Sequence, residues 1–449
     1  MKIKKVKWQN HKILGDLLLD FTDGSGSPYE TIIFAGENGA GKSTVLTELS
    51  MFLNCGSIEK FDFIEYEVDN ETYKAVPMPD SYHHNFFDVL TEDGQRIEIR
   101  CDQSNQRELL ESNTMDLRHY GCVFSKARSD YKTERITSTT TSTLDKEKYD
   151  VDSNDDFTSL KQLIVDVVTQ DSLEYMNINK SLGTQARSWE EYYPESKTYR
   201  FQNAFDSFFD KLKYDKTDDH EDEKTIFFRK NGVSIPVDEL STGEKQIVFR
   251  GIYLLKNSKV LKGSAIMVDE PELSMHPKWQ QRILSYYKSL FTRNEVQEAQ
   301  LFFATHSDHV ISEALADNAN NLVITLSENS GVIEPLKVDR PSVLPRITQS
   351  ETNYFAFDLV TNDFHAELYG LLQDKHQLRT VKQCDDFIIA HPQYNPSLHQ
   401  LQSGFGNTVY KSLSTYIRNA IHHPDSGNTF TQMQLRTSIE LLISLCQTP

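Results

Sequence analysis

The chain has 449 residues, of which 38 % are hydrophobic, and it carries a formal net charge of −19. This length exceeds that of one typical domain and predicts several lobes with hydrophobic cores of their own. The acidic balance excludes a surface that binds nucleic acid generally, although it leaves room for a local basic groove.

The cysteines and the apolar segments bear on the compartment. Five cysteines are widely spaced, without a Cys-x-x-Cys pair: Cys55, Cys101, Cys122, Cys384 and Cys446. This spacing predicts reduced thiols, not a disulfide framework or a zinc site. No apolar segment follows the basic start of the chain, so no signal peptide is predicted, and no apolar run reaches the ~20 residues of a membrane helix. We therefore expect a cytoplasmic protein without a membrane partner.

The first predicted segment, residues 1–130, begins with three strands, a glycine-rich loop and a helix. Lys2–Lys7 and Leu17–Phe21 are the first two strand candidates, and Thr31–Ala35 is a continuous apolar run of the kind buried inside a sheet. Antiparallel β-structure is predicted from about 56 to 125.

An inserted lobe is predicted at residues 131–224. It opens with the Ser/Thr-rich stretch Thr137–Thr143 and the acidic stretch Asp150–Asp156, which indicate solvated loops. Helices are expected from about 157 to 214. A second acidic stretch, Asp215–Glu223, closes the lobe as a solvated surface.

The third segment, residues 225–345, alternates short apolar strands with helices. Ala265–Val268 and Leu301–Ala304 are candidates for buried strands, and this alternation is typical of a mostly parallel sheet with covered faces. The fourth segment, residues 346–449, shows helical spacing only. We therefore predict an α/β protein with mixed sheets, a helical inserted lobe and an all-helical C-terminal domain.

The strongest motif fits the pattern G-x-x-x-x-G-K-[ST] of a phosphate-binding loop. It reads Gly36-Glu37-Asn38-Gly39-Ala40-Gly41-Lys42-Ser43 and is followed by Thr44. Such glycines let backbone N–H groups point at phosphate oxygens, and the start of the following helix adds partial positive charge. Lys42 is predicted to reach the β- and γ-phosphates and Ser43 to bind Mg²⁺.

A second motif ends the predicted strand Ala265–Val268 with two adjacent carboxylates. Asp269 is expected to bind Mg²⁺ through water, and Glu270 to act as the base that orients the attacking water. Near a strand end the chain turns, so that both side chains can reach the same site.

The string Leu240-Ser241-Thr242-Gly243-Glu244-Lys245-Gln246 resembles the signature L-S-x-G-E/Q-x-Q of the ABC ATPases. The resemblance implies the ABC-ATPase head fold, with ATP and Mg²⁺ as cofactors. In that family the signature contacts the γ-phosphate held by another protomer, which implies binding roles for Ser241, Gly243 and Glu244. It also implies a head-to-tail dimer or a higher homo-oligomer.

The string Leu301-Phe302-Phe303-Ala304-Thr305-His306-Ser307 resembles the switch-histidine strand of the same family, which implies a catalytic role for His306 together with Glu270 and Lys42. Ser274, His276 and Pro277 after Glu270 resemble the RecF/SMC/OLD-type branch. The string Val6–His11 at the start of the chain also resembles that branch, except that His11 replaces the usual aromatic residue. Phe124–Asp130 occupies the place of the Q-loop without a glutamine, so the Q-loop stays unassigned.

A cluster near the C-terminus has two interpretations. On a helix, Arg418 and His422 share one face, Asn419 and His423 share the next, and Pro424 ends the helix. Arg418 to His423 also resembles the R-x₄-H motif of HEPN ribonucleases, which implies a second, catalytic site at Arg418, His422 and His423. The alternative is a structural or interface role.

The C-terminal strings Phe364–Tyr369 and Leu435–Leu441, together with the Arg-Asn…His-His-Pro string, resemble the tail of Septu-type anti-phage ATPase subunits, the PtuA-like proteins. The resemblance implies a partner nuclease of HNH type in a separate chain and oligomers larger than a dimer. DNA or RNA would then be contacted through the complex.

Three functions follow from these motifs. The favoured one is an ATP-gated regulatory subunit of an anti-phage defence complex that controls a partner nuclease. The first alternative is an ATP-regulated HEPN-like ribonuclease. The second is a RecF-like DNA-repair ATPase, for which four basic residues could line a local groove: Lys126, Arg128, Lys132 and Arg135.

Overall fold

The chain folds into an α/β unit, Met1–Lys337, and a smaller unit, Val338–Pro449. The computed structural model describes residues 1–78, 82–101, 107–127, 141, 144–145, 148–151, 157–220, 223–338, 343–405 and 408–447. The predicted α/β class is confirmed. The four-segment division predicted from the sequence stays a prediction, since the first unit contains the first two segments and nearly all of the third.

A seven-stranded sheet forms the centre of the first unit. Its strands in spatial order are β18 (Val332–Val338), β17 (Asn321–Asn329), β3 (Thr31–Ala35), β16 (Gln300–Ala304), β13 (Ala265–Asp269), β8 (Cys122–Ser125) and β9 (Tyr149–Val151). The strands from β17 to β9 run parallel. Every residue of β3 and β16 is buried, as expected for strands covered on both faces.

Helices pack on this sheet and connect its strands. They are α1 (Lys42–Leu53), α6 (Thr242–Leu255), α7 (Pro277–Gln280), α8 (Ile283–Leu290) and α9 (Asp308–Ala316). A short hairpin of β14 (Thr292–Arg293) and β15 (Val296–Gln297) precedes β16. Because parallel strands end at one edge, the loops after β3, β13 and β16 emerge side by side.

A six-stranded sheet lies beside the first one and shares its hydrophobic core. Its strands in spatial order are β2 (Leu18–Asp20), β1 (Lys2–Trp8), β4 (Phe61–Val68), β5 (Glu71–Pro77), β6 (Phe87–Thr91) and β7 (Arg96–Ile99). All neighbouring pairs are antiparallel, as predicted for β4 to β7. The prediction is wrong for β8, which also lies within 56–125 but pairs in parallel with β13 and β9. The short helix α2 (Arg107–Ser112) follows β7.

The predicted inserted lobe contains the helices α3 (Phe157–Leu182), α4 (Trp189–Tyr192) and α5 (Lys197–Phe208). The structure differs at the second acidic stretch, which lies in an antiparallel sheet of β10 (Leu212–His220), β11 (Glu223–Lys230) and β12 (Val233–Pro236). Asp218 and Asp219 are exposed as expected but lie on a strand and not in a loop, and residues 221–222 of the stretch lie outside the described residues.

The lobe is tied to the end of α6. The buried Lys197 ammonium donates hydrogen bonds to the Asp145 carboxylate at 2.6 Å and to the Lys256 carbonyl, at the C-cap of α6, at 2.9 Å. Asp150, from the first predicted acidic stretch, lies in β9 and pairs with the Lys256 ammonium at 3.1 Å. Residues 152–156 of that stretch lie outside the described residues.

The second unit is helical, as predicted, with one hairpin added. Its helices are α10 (Gln349–Phe357), α11 (Asn362–Lys375), α12 (Val381–Ala390), α13 (Pro396–His399), α14 (Leu413–His422) and α15 (Gln432–Gln447). They enclose their own core, which includes Phe364, Leu368, Ile417 and Ile439. The hairpin of β19 (Gln400–Phe405) and β20 (Thr408–Ser412) is not apparent in the helical spacing.

Candidate nucleotide site

The glycine-rich loop spans the end of β3 and the start of α1, and its glycines adopt conformations that other residues disfavour. Gly36 has φ 132°, and a Cβ atom there would lie 2.2 Å from the Leu326 carbonyl oxygen. Gly39 and Gly41 have φ 90° and 86°. Of the other predicted contact residues, Ala40 is buried, Thr44 is half-buried, and Glu37 and Asn38 are exposed.

Lys42 is buried at the mouth of this loop. Its ammonium donates hydrogen bonds to the carbonyl oxygens of Gly36 and Glu37, both at 2.8 Å. Burial lowers the pKa of Lys42 below its ordinary value, and the nearby carboxylates of Asp269, Glu270, Glu272 and Glu37 oppose that shift. A cation surrounded in this way can exchange loop carbonyls for phosphate oxygens.

Ser43 and Asp269 meet across the loop. The Ser43 hydroxyl donates a hydrogen bond of 3.0 Å to Asp269 Oδ1. Burial raises the pKa of Asp269, and the hydrogen bond from Ser43 opposes the rise. The two predicted Mg²⁺ ligands are therefore adjacent, with α1 and β13 supplying one each.

Glu270 and His306 form the next pair. The imidazole Nε2 of His306 lies 3.0 Å from Glu270 Oε1. Glu270 has φ 47°, in the left-handed region, and its backbone N–H donates to the Ala304 carbonyl at 2.8 Å. Its side chain leaves β13 in a sharp turn and faces the loop after β16, so the geometry brings the predicted base and the predicted switch histidine together.

The signature string lies at the start of α6. Ser241 is the N-cap and is exposed, and it forms a capping box with Glu244. Glu244 is buried and pairs with Lys230 at 2.8 Å, so its carboxylate stabilises its own helix start. Gly243 lies close to the loop that follows β13, because a Cβ atom on Gly243 would be 2.9 Å from the Ser274 carbonyl oxygen.

Arg250 is a residue of the site that the sequence analysis missed. It lies on α6, is 2 % exposed, and donates hydrogen bonds to backbone carbonyls at the ends of two strands. Its partners are Ser125 Oγ at 3.0 Å, Glu270 O at 2.8 Å, Lys126 O at 2.9 Å, Ser125 O at 3.2 Å and Asp269 O. The available signal was an arginine within an otherwise apolar stretch of the signature helix.

The C-terminal cluster lies at the end of α14, with His423 as the C-cap. Partial burial lowers the pKa of His422, and the positive charges of Arg418 and His423 lower it further, so the three side chains are close to one another. Arg418 donates a hydrogen bond of 3.1 Å to Asn419. The fully buried His365 also lies near His422, and burial lowers its pKa to about 3.

Two other expectations concern a basic groove and the absence of membrane helices. Of the four basic residues proposed to line a groove, Arg128, Lys132 and Arg135 lie outside the described residues, as does most of Thr137–Thr143. Lys126 is described, and its carbonyl accepts from Arg250. Among the helices that the structure describes, none is long and apolar enough to cross a membrane.

Residues 125–312 match the family model described as "AAA domain, putative AbiEii toxin, Type IV TA system". The match identifies an AAA-family domain in this segment. The segment contains Ser241, Asp269, Glu270 and His306 but begins after the glycine-rich loop. No curated protein matches the sequence.

Several solved structures of SMC heads are similar to this chain. An SMC head bound to the C-winged helix domain of ScpA has 13 % identity and a TM-score of 0.44, covering 75 % of this chain and 98 % of that one. The SMC head domain from Thermotoga maritima has 16 % identity and a TM-score of 0.38, with 75 % and 99 % covered. A Pyrococcus furiosus SMC head with an extended coiled coil, bound to the C-terminal domain of ScpA, has 15 % identity and a TM-score of 0.38, with 75 % and 96 % covered.

Replacing Arg250 with methionine should destabilise the first unit. The substitution leaves several buried carbonyl groups without their donor, so we expect the free energy of unfolding to fall by about 3 kcal/mol. All three tryptophans lie in this unit, at positions 8, 189 and 279, so urea unfolding followed by tryptophan fluorescence reports on it alone. The control Arg100→Met, at a side chain that is 66 % exposed, should change stability by less than about 0.5 kcal/mol. Equal unfolding midpoints for Arg250→Met and the wild type would contradict this account.

Proposed function

We propose that this chain binds and hydrolyses ATP at the edge where β3, β13 and β16 end. One observation carries the proposal: the structure groups Lys42 and Ser43 from the start of α1 with Asp269, Glu270 and His306 from the ends of β13 and β16. A cation in a glycine-rich loop, a hydroxyl–carboxylate pair and a carboxylate–imidazole pair together supply what phosphoryl transfer to water needs.

Each residue has a role in this proposal. Backbone N–H groups of the loop and the start of α1 hold the phosphates, and Lys42 neutralises charge on the β- and γ-phosphates. Glu270 accepts a hydrogen bond from the attacking water and orients it, and His306 holds Glu270 in place. The exposed fractions of 27 % for Glu270 and 38 % for His306 leave both side chains accessible to water and phosphate.

The donor set fits Mg²⁺. This cation prefers oxygen ligands in octahedral geometry and keeps several waters, so it needs only one or two protein ligands beside the phosphates. The Ser43 hydroxyl and the Asp269 carboxylate supply two oxygens that already lie 3.0 Å apart. When bound, Mg²⁺ would neutralise charge that develops on the phosphate oxygens.

The proposal further requires two copies of the chain. Ser241 is exposed at the start of a 14-residue helix, a position suited to a phosphate. The resemblance of its string to the ABC signature implies that this phosphate is held by the glycine-rich loop of another copy. ATP would then lie between the loop of one copy and the Ser241 and Gly243 of a second, in a head-to-tail dimer or a larger assembly.

The favoured biological role is that of an ATP-gated regulatory subunit in an anti-phage complex with a partner nuclease of HNH type. The resemblance of the C-terminal strings to Septu-type subunits supports it, and the matched family's description names toxin–antitoxin proteins. In this role the helical second unit would hold the effector, and DNA or RNA would be contacted through the complex.

A second candidate is a ribonuclease within the chain. The grouping of Arg418, His422 and His423 at the end of α14 favours it, because an arginine can bind a phosphate beside a histidine that transfers a proton. Incubating the purified chain with RNA, with and without ATP, separates the two candidates. The regulatory role predicts no cleavage by the chain alone, whereas the ribonuclease role predicts cleavage that His423→Ala abolishes while ATP hydrolysis continues.

Substitutions at the two ends of the site should separate binding from hydrolysis. Lys42→Ala removes the phosphate-binding cation and should weaken ATP binding at least about tenfold. Glu270→Gln should bind ATP normally but turn over about a hundredfold slower, because the amide is a poor base. Calorimetry and phosphate release measure the two effects, with Glu98→Gln, at a half-exposed carboxylate, as the control. Normal ATP binding by Lys42→Ala would refute the site.

Mixing inactive variants tests whether the site is shared between copies. Lys42→Ala and Ser241→Arg chains should each be inactive, but their equimolar mixture should regain about a quarter of the wild-type turnover. About half of randomly formed dimers contain both variants, and each of these carries one intact site. Mixing Lys42→Ala with the Lys42→Ala/Ser241→Arg double variant is the control and should regain none. Mixed dimers without activity, verified by mass measurement, would show that the site is complete within one chain.

A further inference from the structure

The loop after β13 and the loop after β16 are joined by a buried carboxylate. Glu272, two residues beyond Glu270, is 7 % exposed. Its Oε1 accepts hydrogen bonds from the Thr305 hydroxyl at 2.6 Å and from the His306 backbone N–H at 3.1 Å. The Thr305 hydroxyl oxygen in turn accepts from the Ser307 N–H at 3.0 Å. One oxygen of Glu272 therefore organises three consecutive residues around His306.

A second contact holds the same loop from the other side. The Ser307 hydroxyl donates to Gln280 Oε1 at 2.6 Å, and Gln280 Nε2 donates to the Met275 carbonyl at 3.0 Å. The backbone of the His306 loop is thus held by the segment that follows Glu270. A displacement of that segment is therefore expected to move the backbone that carries the imidazole.

The burial of Glu272 is costly in free energy, so packing alone does not explain it. Its Oε2 has no hydrogen-bond partner among the residues that the structure describes. Burial raises the pKa of Glu272, and the hydrogen bonds from Thr305 and His306 oppose the rise. An apolar side chain would avoid the cost of burying a carboxyl group, but it could not orient the Thr305 and His306 donors.

We propose that Glu272 is a positioning residue, which fixes Thr305 and the His306 backbone so that the imidazole reaches Glu270. This inference rests on the proposed ATP hydrolysis at the same site. Glu272 acts through His306 and touches neither the phosphates nor the attacking water. Its loss should therefore slow the chemical step far more than it changes the binding of ATP, on which its charge acts only through Lys42.

A double-mutant cycle between Glu272 and His306 tests the proposal. Glu272→Ala should lower kcat tenfold to about a hundredfold, with the Kd for ATP changed less than about twofold. Glu272→Gln keeps an acceptor oxygen and should retain most of the turnover. Because Glu272 acts through His306, the variant Glu272→Ala/His306→Ala should be no slower than His306→Ala alone. Multiplicative effects of the two substitutions, or wild-type turnover in Glu272→Ala, would overturn the proposal.

A readout without ATP separates this proposal from the proposed ATPase activity. Amide hydrogen exchange of residues 305–307 should be faster in Glu272→Ala than in the wild type and close to wild type in Glu272→Gln. If the wild type does not hydrolyse ATP, the proposed activity fails while the exchange measurement still tests the contact. If Glu272→Ala does not fold, Thr305→Val and Thr305→Ser form the substitute pair. Only the valine removes the hydroxyl donor, so only Thr305→Val should slow turnover and speed exchange. Unchanged exchange in all variants would refute a positioning role.

Discussion

The parallel pairing of β3, β16 and β13 is the constraint on which the proposed site depends. The three strands run in one direction, and β16 pairs with β3 on one side and with β13 on the other. The loops that follow them therefore leave the sheet at one edge. Lys42, Asp269 and His306 therefore converge although they are far apart along the chain. Reversing one of these strands would move its loop to the opposite edge. Because the strands are apolar and buried on both faces, the charged side chains lie in the segments that follow them, at that edge.

Buried polar side chains then fix the loops at that edge. Arg250 extends from α6 to the carbonyls of Asp269 and Glu270, so the signature helix and the carboxylate-bearing loop are mechanically joined. The Ser274 carbonyl, on the loop that follows β13, packs against Gly243 at the start of α6. The start of α6 is therefore in direct contact with the loop that carries Glu272. A phosphate that arrives at Ser241 would therefore act on a segment that already holds His306. A buried polar group that loses its partner raises the free energy of the fold, so these loops are expected to switch between discrete conformations and not to shift gradually.

The sequence is sufficient to predict the motifs, because their chemistry is encoded in neighbouring residues. The structure brings Ser43 next to Asp269 and Glu270 next to His306, while the roles of these residues in nucleotide binding stay predictions. The structure also gives Glu244 a capping role. Arg250 and Glu272 were missed because their partners are distant in sequence, with Ser125 lying 125 positions from Arg250. The β10–β11 hairpin was missed because exposed charges on both strands conceal the apolar alternation. In the second unit, strong helical spacing similarly concealed β19 and β20.

In the proposed function, one ATP molecule is held by two copies of this chain. The most direct test is a structure of the Glu270→Gln variant with ATP and Mg²⁺, in which slow hydrolysis preserves the bound state. We expect paired copies, with the γ-phosphate between Lys42 of one copy and the start of α6, at Ser241 and Gly243, of the other. ATP bound to single copies, with Ser241 exposed to solvent at saturating ATP, would contradict this expectation.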